Sequence, residues 1–210
     1  MTLNAMTLNA MTLNAMTEAT VVLVPGLRGH VEDHWQTRLA ATLPNVRTVP
    51  PLGRSDPSVA ARVTQLDRVV KDVAGPVVLV AHSAGALVAV HWAAQHSPTR
   101  VVGALLATPP VFADELPPEY PSIDRLRGQG WMPIPRSPLP FPSIVAASTD
   151  DPLGNPVRLR SLATSWGSCW HDLGAVGHLN PASGFGDWPG AVELIGGLCG
   201  NLAGFDLVPA

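Results

Sequence analysis

The stretch Pro76-Val77-Val78-Leu79-Val80-Ala81-His82-Ser83-Ala84-Gly85, continued by Ala86-Leu87-Val88-Ala89-Val90, decides the fold. Gly75-Pro76 ends whatever precedes it, the aliphatic run to Ala81 reads as a buried strand, and the run after Gly85 reads as a helix. Ser83 therefore stands on a sharp strand-to-helix turn. A serine on such a turn has its hydroxyl pushed out at the C-terminal edge of a sheet, and the strain requires small residues two positions to either side. Ala81 and Gly85 meet that requirement, Ala81 standing where this kind of turn usually carries its first glycine. The competing reading is an ordinary helix-capping serine. The all-apolar strand and the small flanks favour a nucleophile.

Outward from this turn, strands and helices alternate. Val21 to Val24 is a short apolar run stopped by Pro25-Gly26, and reads as a buried parallel strand. From His30 to Leu43 the spacing is helical, with Trp35, Leu39 and Leu43 on one face. Val46 to Val49 reads as a strand stopped by Pro50-Pro51. Ser55-Asp56-Pro57 reads as a helix start, followed by Val59, Val63, Leu66, Val70 and Val73 at helical spacing. The helix after Ser83 is expected to run to about His96, where Ser97-Pro98 stops it. Val101 to Ala107 and Ser143 to Ala147 are further buried strands, Asn155 to Trp166 a helix, Cys169 to Leu173 the last strand, and Trp188 to Leu202 the closing helix. This alternation predicts a parallel sheet of about six strands covered by helices on both faces, with right-handed connections. Residues 108–142 depart from it, with many prolines and little periodicity. The segment follows the strand after Ser83, a position that overlies the mouth of the site, so it is expected to form a cap or pocket wall rather than a passive loop.

Composition bounds the class. The chain has 210 residues, 46% of them hydrophobic and 14% charged, with a net charge of −3. That suits one compact α/β domain over residues 18–210 and excludes a disordered chain. Nothing builds an electropositive face, so neither nucleic acid nor an anionic membrane is an expected partner, and no apolar run reaches the length of a span. Residues 1–17, three copies of Met-Thr-Leu-Asn-Ala and then Met16-Thr17, lack the charged and apolar parts of a secretory signal and are expected to stay disordered ahead of the fold. Cys169 and Cys199 form no disulfide framework and read as free thiols, which fits the cytoplasm.

Serine alkoxide chemistry needs a base, a group that orients the base, and donors for the oxyanion. Among seven histidines, His178 has the right context: it lies in the loop Val176-Gly177-His178-Leu179-Asn180 after the last strand. His82 adjoins Ser83 but points to the other side of its strand, His91 and His96 belong to the helix behind the turn, and His171 is inside a strand. Ser148-Thr149-Asp150-Asp151-Pro152 offers two acids. Consecutive side chains diverge, so one of them can face His178; Asp151 is favoured, with Asp150 holding the turn or capping a helix. Asp172 is too near His178 in sequence. The order Ser83, Asp151, His178 is that of an α/β-hydrolase. The oxyanion donors are expected to be the backbone amides of Ala84 and of Leu27, with Arg28 as the alternative to Leu27, on the glycine-flanked turn Pro25-Gly26-Leu27-Arg28-Gly29. His30 and His34, four apart, could share a helical face as metal ligands, but the intervening glutamate is out of place and no third ligand is evident. No metal and no cofactor are expected.

The set Pro25-Gly26, His34-Trp35-Gln36, Ala81-His82-Ser83-Ala84-Gly85, Thr149-Asp150-Asp151-Pro152 and Gly177-His178-Leu179-Asn180 resembles the small α/β-hydrolases grouped with retinoblastoma-binding protein 9 and the bacterial YdeN-type proteins. The segment Ala182 to Pro189 is similar to bacterial members in particular, and the resemblance spans nearly all of residues 20–205. It implies an α/β-hydrolase fold, a serine hydrolase activity of esterase type, and Asp151 as the acid of a triad. It supplies no substrate. The Leu-x-Cys-x-Glu motif associated with retinoblastoma binding is absent around Cys169 and Cys199, so that partner is not implied.

The reading is thus a hydrolase cleaving a small ester, or an amide or thioester, through an acyl-Ser83 intermediate. The apolar character of the 108–142 segment, with Trp131 and Phe141, points to an apolar acyl or alcohol group. The rival from another class is a catalytically silent binding protein on the same scaffold, which predicts a segment that covers Ser83. A metallohydrolase at His30 and His34 is the third.

Overall fold

The structure is a computed structural model that describes residues 18–29, 31–52, 58–97, 99–112, 116–200 and 208–209. The amino-terminal repeat, His30, and the Ser55-Asp56-Pro57 helix start lie outside the described residues.

A single sheet runs through the molecule in the order β2-β1-β3-β4-β5-β6-β7. Its strands are β1 (Thr20–Val24), β2 (Val46–Thr48), β3 (Val77–His82), β4 (Val101–Ala107), β5 (Ser143–Ala147), β6 (Cys169–Asp172) and β7 (Val208–Pro209). The first six pair in parallel. The seventh was not expected from the sequence: two residues with a proline show no strand pattern, and they pair antiparallel on the edge, Trp170 opposite Val208. The helices are α1 (Trp35–Thr42), α2 (Val59–Lys71), α3 (Ala84–Ala93), α4 (Ile123–Gly128), α5 (Pro156–Trp166) and α6 (Gly190–Gly200). This is the α/β-hydrolase fold.

The central strands are apolar at nearly every position because both faces are covered, and alternation sorts their side chains. Val22, Val24, Leu79, Ala81, Leu106 and Val145 pack with α2, α3 and α5. Val21, Leu23, Val78, Val80, Leu105 and Ile144 pack with α1 and α6. Helix α3, which follows Ser83, is buried on all sides over Ala84 to Trp92 and has no polar face. Gly103 lets α6 approach: a Cβ there would lie 2.9 Å from the Leu198 side chain.

Element ends differ from the sequence reading where caps and turns decide them. Helix α1 begins at Trp35 instead of His30, because the His34 Nδ1 accepts the Gln36 amide (3.2 Å) and so caps it. Helix α2 begins at Val59 with Ser58 as its cap, accepting the Ala61 amide at 3.3 Å. The strand expected to reach Val49 ends at Thr48, although the Val49 amide still donates to the Leu23 carbonyl at 2.9 Å. Helix α3 ends at Ala93, short of His96, and α6 begins at Gly190. In the 108–142 segment the short α4, capped by Ser122, had no periodic signal to announce it.

Candidate active site

Ser83 sits between β3 and α3 with φ +56° and ψ −129°, a left-handed conformation that costs a non-glycine residue about 1–3 kcal/mol and recurs at functional turns. The fold holds it there: its amide donates to the Ala107 carbonyl (2.9 Å) and its carbonyl accepts the Ala86 amide (2.9 Å). Gly85 has no alternative, because a Cβ there would clash with the Val24 carbonyl and lie 2.7 Å from that of Pro25. The end of β1 and the start of α3 thus touch backbone to backbone. Gln36 reinforces the junction, its side-chain amide donating to the Val80 carbonyl at 2.9 Å and the Val24 carbonyl at 3.4 Å.

The structure brings Ser83, His178 and Asp151 together. Ser83 Oγ is 2.7 Å from His178 Nε2. His178 Nδ1 is 2.9 Å from each carboxylate oxygen of Asp151. The two side chains of this contact are 4% and 2% exposed, so it is shielded from water. A carboxylate can only accept, so Nδ1 carries the proton, and in the neutral ring Nε2 is then free to accept from the Ser83 hydroxyl. Asp151 is held in turn by the Leu153 amide (2.9 Å), and Gly154 leaves room for it: a Cβ there would be 3.1 Å from Asp151 Oδ2.

The loop carrying His178 is tied down on both sides. Asp150 points away from His178 and accepts from the Ser148 hydroxyl (2.8 Å) and the Gly177 amide (2.7 Å). These donors hold its carboxyl below the usual carboxylate range. Ser148 Oγ also accepts the Val176 amide at 3.2 Å. On the far side the His178 amide donates to Ser183 Oγ (3.0 Å), which donates to Asn180 Oδ1 (3.1 Å). Gly177, at φ +59°, admits Ser183 to within a distance that a Cβ would fill. Beneath the loop, His82 Nε2 donates to the His178 carbonyl at 2.9 Å. Burial first, then the neighbouring His178 and His34, pushes the His82 pKa well below its ordinary value, so it is a neutral donor. His34, Trp35 and Trp188 continue this ring stack, with His34 4.6 Å from His82 and Trp35 edge-on to Trp188.

Ser83, Ala84 and His178 open into a cleft whose empty space, mouth included, is about 820 Å³. The turn Gly26 to Gly29, closed by the Gly29 amide donating to the Gly26 carbonyl (3.1 Å), lines one side. A Cβ on Gly26 would be 3.2 Å from that of Ser83, so this turn runs beside the serine. Leu27 and Arg28 both line the cleft. The 108–142 segment lines the opposite side through Pro110, Phe112, Leu116, Tyr120, Pro121 and Leu126. The two aromatic residues singled out in that segment do not face the cleft. Trp131 is fully buried behind Phe112, edge-on to its ring, and Phe141 is in the same core. Bulk and apolarity alone did not distinguish cleft wall from core. Trp188 likewise packs on Trp35 and not in the cleft.

The sequence reading included Gln36, Ser148 and Ser183 in its motifs but gave them no role. Their signal was a polar residue beside a functional turn, which is common enough to be uninformative without the pairing. His34 caps α1 and lines the cleft. Among the described residues no cluster of three metal-ligating side chains is present. His91 and His171 both titrate below the ordinary histidine value, chiefly through burial. Cys169 and Cys199 are free thiols, and burial pushes that of Cys199 up to about 11, so it is not a poised nucleophile.

Comparison with known proteins agrees with the fold. The structure superposes on a YdeN-like hydrolase from Pectobacterium atrosepticum with a TM-score of 0.76 and 28% identity, covering 91% of this chain and 96% of that one. The ydeN gene product of B. subtilis matches at a TM-score of 0.64 and 17% identity, over 86% and 98% of the two chains. A thioesterase domain from the curacin biosynthetic pathway matches at 0.60 and 17%, over 86% and 92%. The last two likenesses concern the fold alone. No curated protein matches the chain. A family model described as serine hydrolase matches residues 21–196, most of the chain, and the protein therefore belongs to the serine hydrolase family.

Proposed function

We propose that the protein is a carboxylesterase-type serine hydrolase in which Ser83 is the nucleophile, His178 the general base and acid, and Asp151 the residue that orients it. The observation that carries this is the continuous buried line from Ser83 Oγ through His178 to the Asp151 carboxylate, with contacts of 2.7 and 2.9 Å. As Ser83 Oγ bonds to the ester carbonyl carbon, its proton passes to His178 Nε2, and Asp151 stabilises the imidazolium. The carbonyl oxygen becomes an oxyanion, for which the amides of Ala84 and Leu27 are the donors we infer, Ala84 being the first residue of α3. Collapse breaks the ester bond, and the leaving alcohol takes the proton from Nε2. Water then repeats the sequence on the acyl-Ser83, releasing the acid and restoring the serine.

No step calls on a metal or cofactor. A silent binding protein would need Ser83 covered. Among the described residues Ser83 instead borders a mostly apolar cleft, which favours an apolar acyl or alcohol group. Among the described residues no helix is long and apolar enough to cross a membrane. Two free cysteines fit a reducing compartment, and the cytoplasm is the location we propose.

The test is stopped-flow hydrolysis of short p-nitrophenyl esters. The expected result is a burst of nitrophenol close to one equivalent of enzyme and its loss in Ser83→Ala. Turnover that survives Ser83→Ala would overturn the assignment.

A further inference from the structure

The cleft beside Ser83 is mostly apolar. Among the described residues that line it, Arg28 carries the one permanent charge. It stands exposed on the turn after β1 and reaches across to the 108–142 segment, its guanidinium carbon 5.3 Å from the centre of the Tyr120 ring. That contact steadies the guanidinium through the face of the ring but occupies none of its five N–H donors. Arg38 by contrast pairs with Asp33 and Asp187, and Arg127 with Asp124, while exposed Arg47, Arg68 and Arg125 share with Arg28 the lack of a described ion-pair partner. Among the described residues no carboxylate lies within ion-pair distance of Arg28. A charged fork with open donors, bordering a mostly apolar cleft and resting on the Tyr120 ring, is placed to meet an anion entering with the substrate.

We propose that Arg28 is the specificity-determining residue of the cleft and that the substrate is an ester bearing a carboxylate, separated from the scissile bond by an apolar linker. The inference rests on the acyl-Ser83 reading. A carboxylate is the better match than a phosphate. One planar guanidinium pairs with one carboxylate through two parallel hydrogen bonds, and among the described residues that line the cleft there is no second permanent cation to offset a dianion.

The test compares kcat/KM for p-nitrophenyl hemiesters of dicarboxylic acids, from succinate to suberate, with p-nitrophenyl alkanoates of matching length. A second series puts the charge on the alcohol side, as butyrate esters of ω-hydroxy acids against those of the matching alkanols. In at least one series the charged ester is expected to be preferred by about tenfold at low salt, mainly through KM, with the preference shrinking as salt rises. Arg28→Gln should erase the preference and Arg28→Lys retain part of it; every such variant keeps the backbone amide. Neutral esters turned over through Ser83 with no charged ester preferred at any length, or a preference that survives Arg28→Gln, would overturn the proposal. If neither charged nor neutral esters are hydrolysed, it is the acyl-serine reading that fails, and this inference with it.

Discussion

The His178 loop and the 108–142 segment border the same cleft, and they are held by different means. In the loop, directional bonds fix the chain: Asp150 takes the Gly177 amide, Ser148 that of Val176, Ser183 that of His178 itself, and His82 supports the carbonyl. In the segment the wall is made by packing, with Phe112 on Trp131 and the fully buried Leu126 beneath. Hydrogen bonds demand particular residue types at particular places, and packing demands volume. On the proposed function, one region sets what chemistry is done and the other sets what fits.

If the loop and the Ser83 turn it faces carry the chemistry, changes there should cost far more than changes in the wall. Ser83→Ala and His178→Ala should each lower kcat by about 10⁴-fold or more, and the double variant should fall little further, because the residues act as a unit. Additive losses in steady-state kinetics would break the account.

The two adjacent aspartates, on the turn after β5 that meets the loop, should separate chemistry from support. Asp151→Asn should cost about 10³–10⁴-fold in kcat, since the amide cannot hold the proton on His178 Nδ1. Asp150→Asn keeps an oxygen that can accept the Gly177 amide and should cost about tenfold at most, with Asp150→Ala worse than Asn. A reversed ranking of Asp150 and Asp151 would reassign the acid.

In the wall, Leu116→Ala should change KM for longer acyl chains by up to about tenfold while leaving kcat for acetate esters much less affected, the scale expected for a few methylenes in an apolar pocket. A kcat loss as large as that of Asp151→Asn would dissolve the distinction between the regions.

The smallest effect concerns His82 and stability. Its folded pKa is depressed, so stability is complete above the unfolded value of about 6.5. It is lost as pH falls below that, by up to about 1.4 kcal/mol per pH unit, because only the unfolded chain takes up the proton. His91, also depressed, adds to the same slope. Urea unfolding across this range should show a shallower slope for His82→Gln; an unchanged slope would mean that His82 is protonated in the fold.

The sequence announced much of this arrangement, for physical reasons that differ by region. Buried parallel strands must be apolar throughout, and a strained strand-to-helix turn must have small neighbours, so β1, β3, β4 and β5 and the Ser83 turn were legible. The order of Ser83, Asp151 and His178 along the chain picked out the residues that the structure brings within hydrogen-bond distance. Helix starts were read less well, because His34 and Ser58 cap by geometry that composition does not display. The wall was read least well. Trp131 and Phe141 share the composition of cleft residues but face the core, and the residues that do line the cleft, such as Leu116 and Tyr120, carry no periodic signal. The edge strand β7 depends on a pairing across the chain that no local pattern encodes.

The most direct test of the central claim is intact-protein and peptide mass spectrometry after treatment with a fluorophosphonate, with Ser83→Ala alongside. The account predicts one adduct per chain, located on Ser83 and absent from the variant. A folded protein that takes no adduct, or a variant labelled as fully as the wild type, would contradict it.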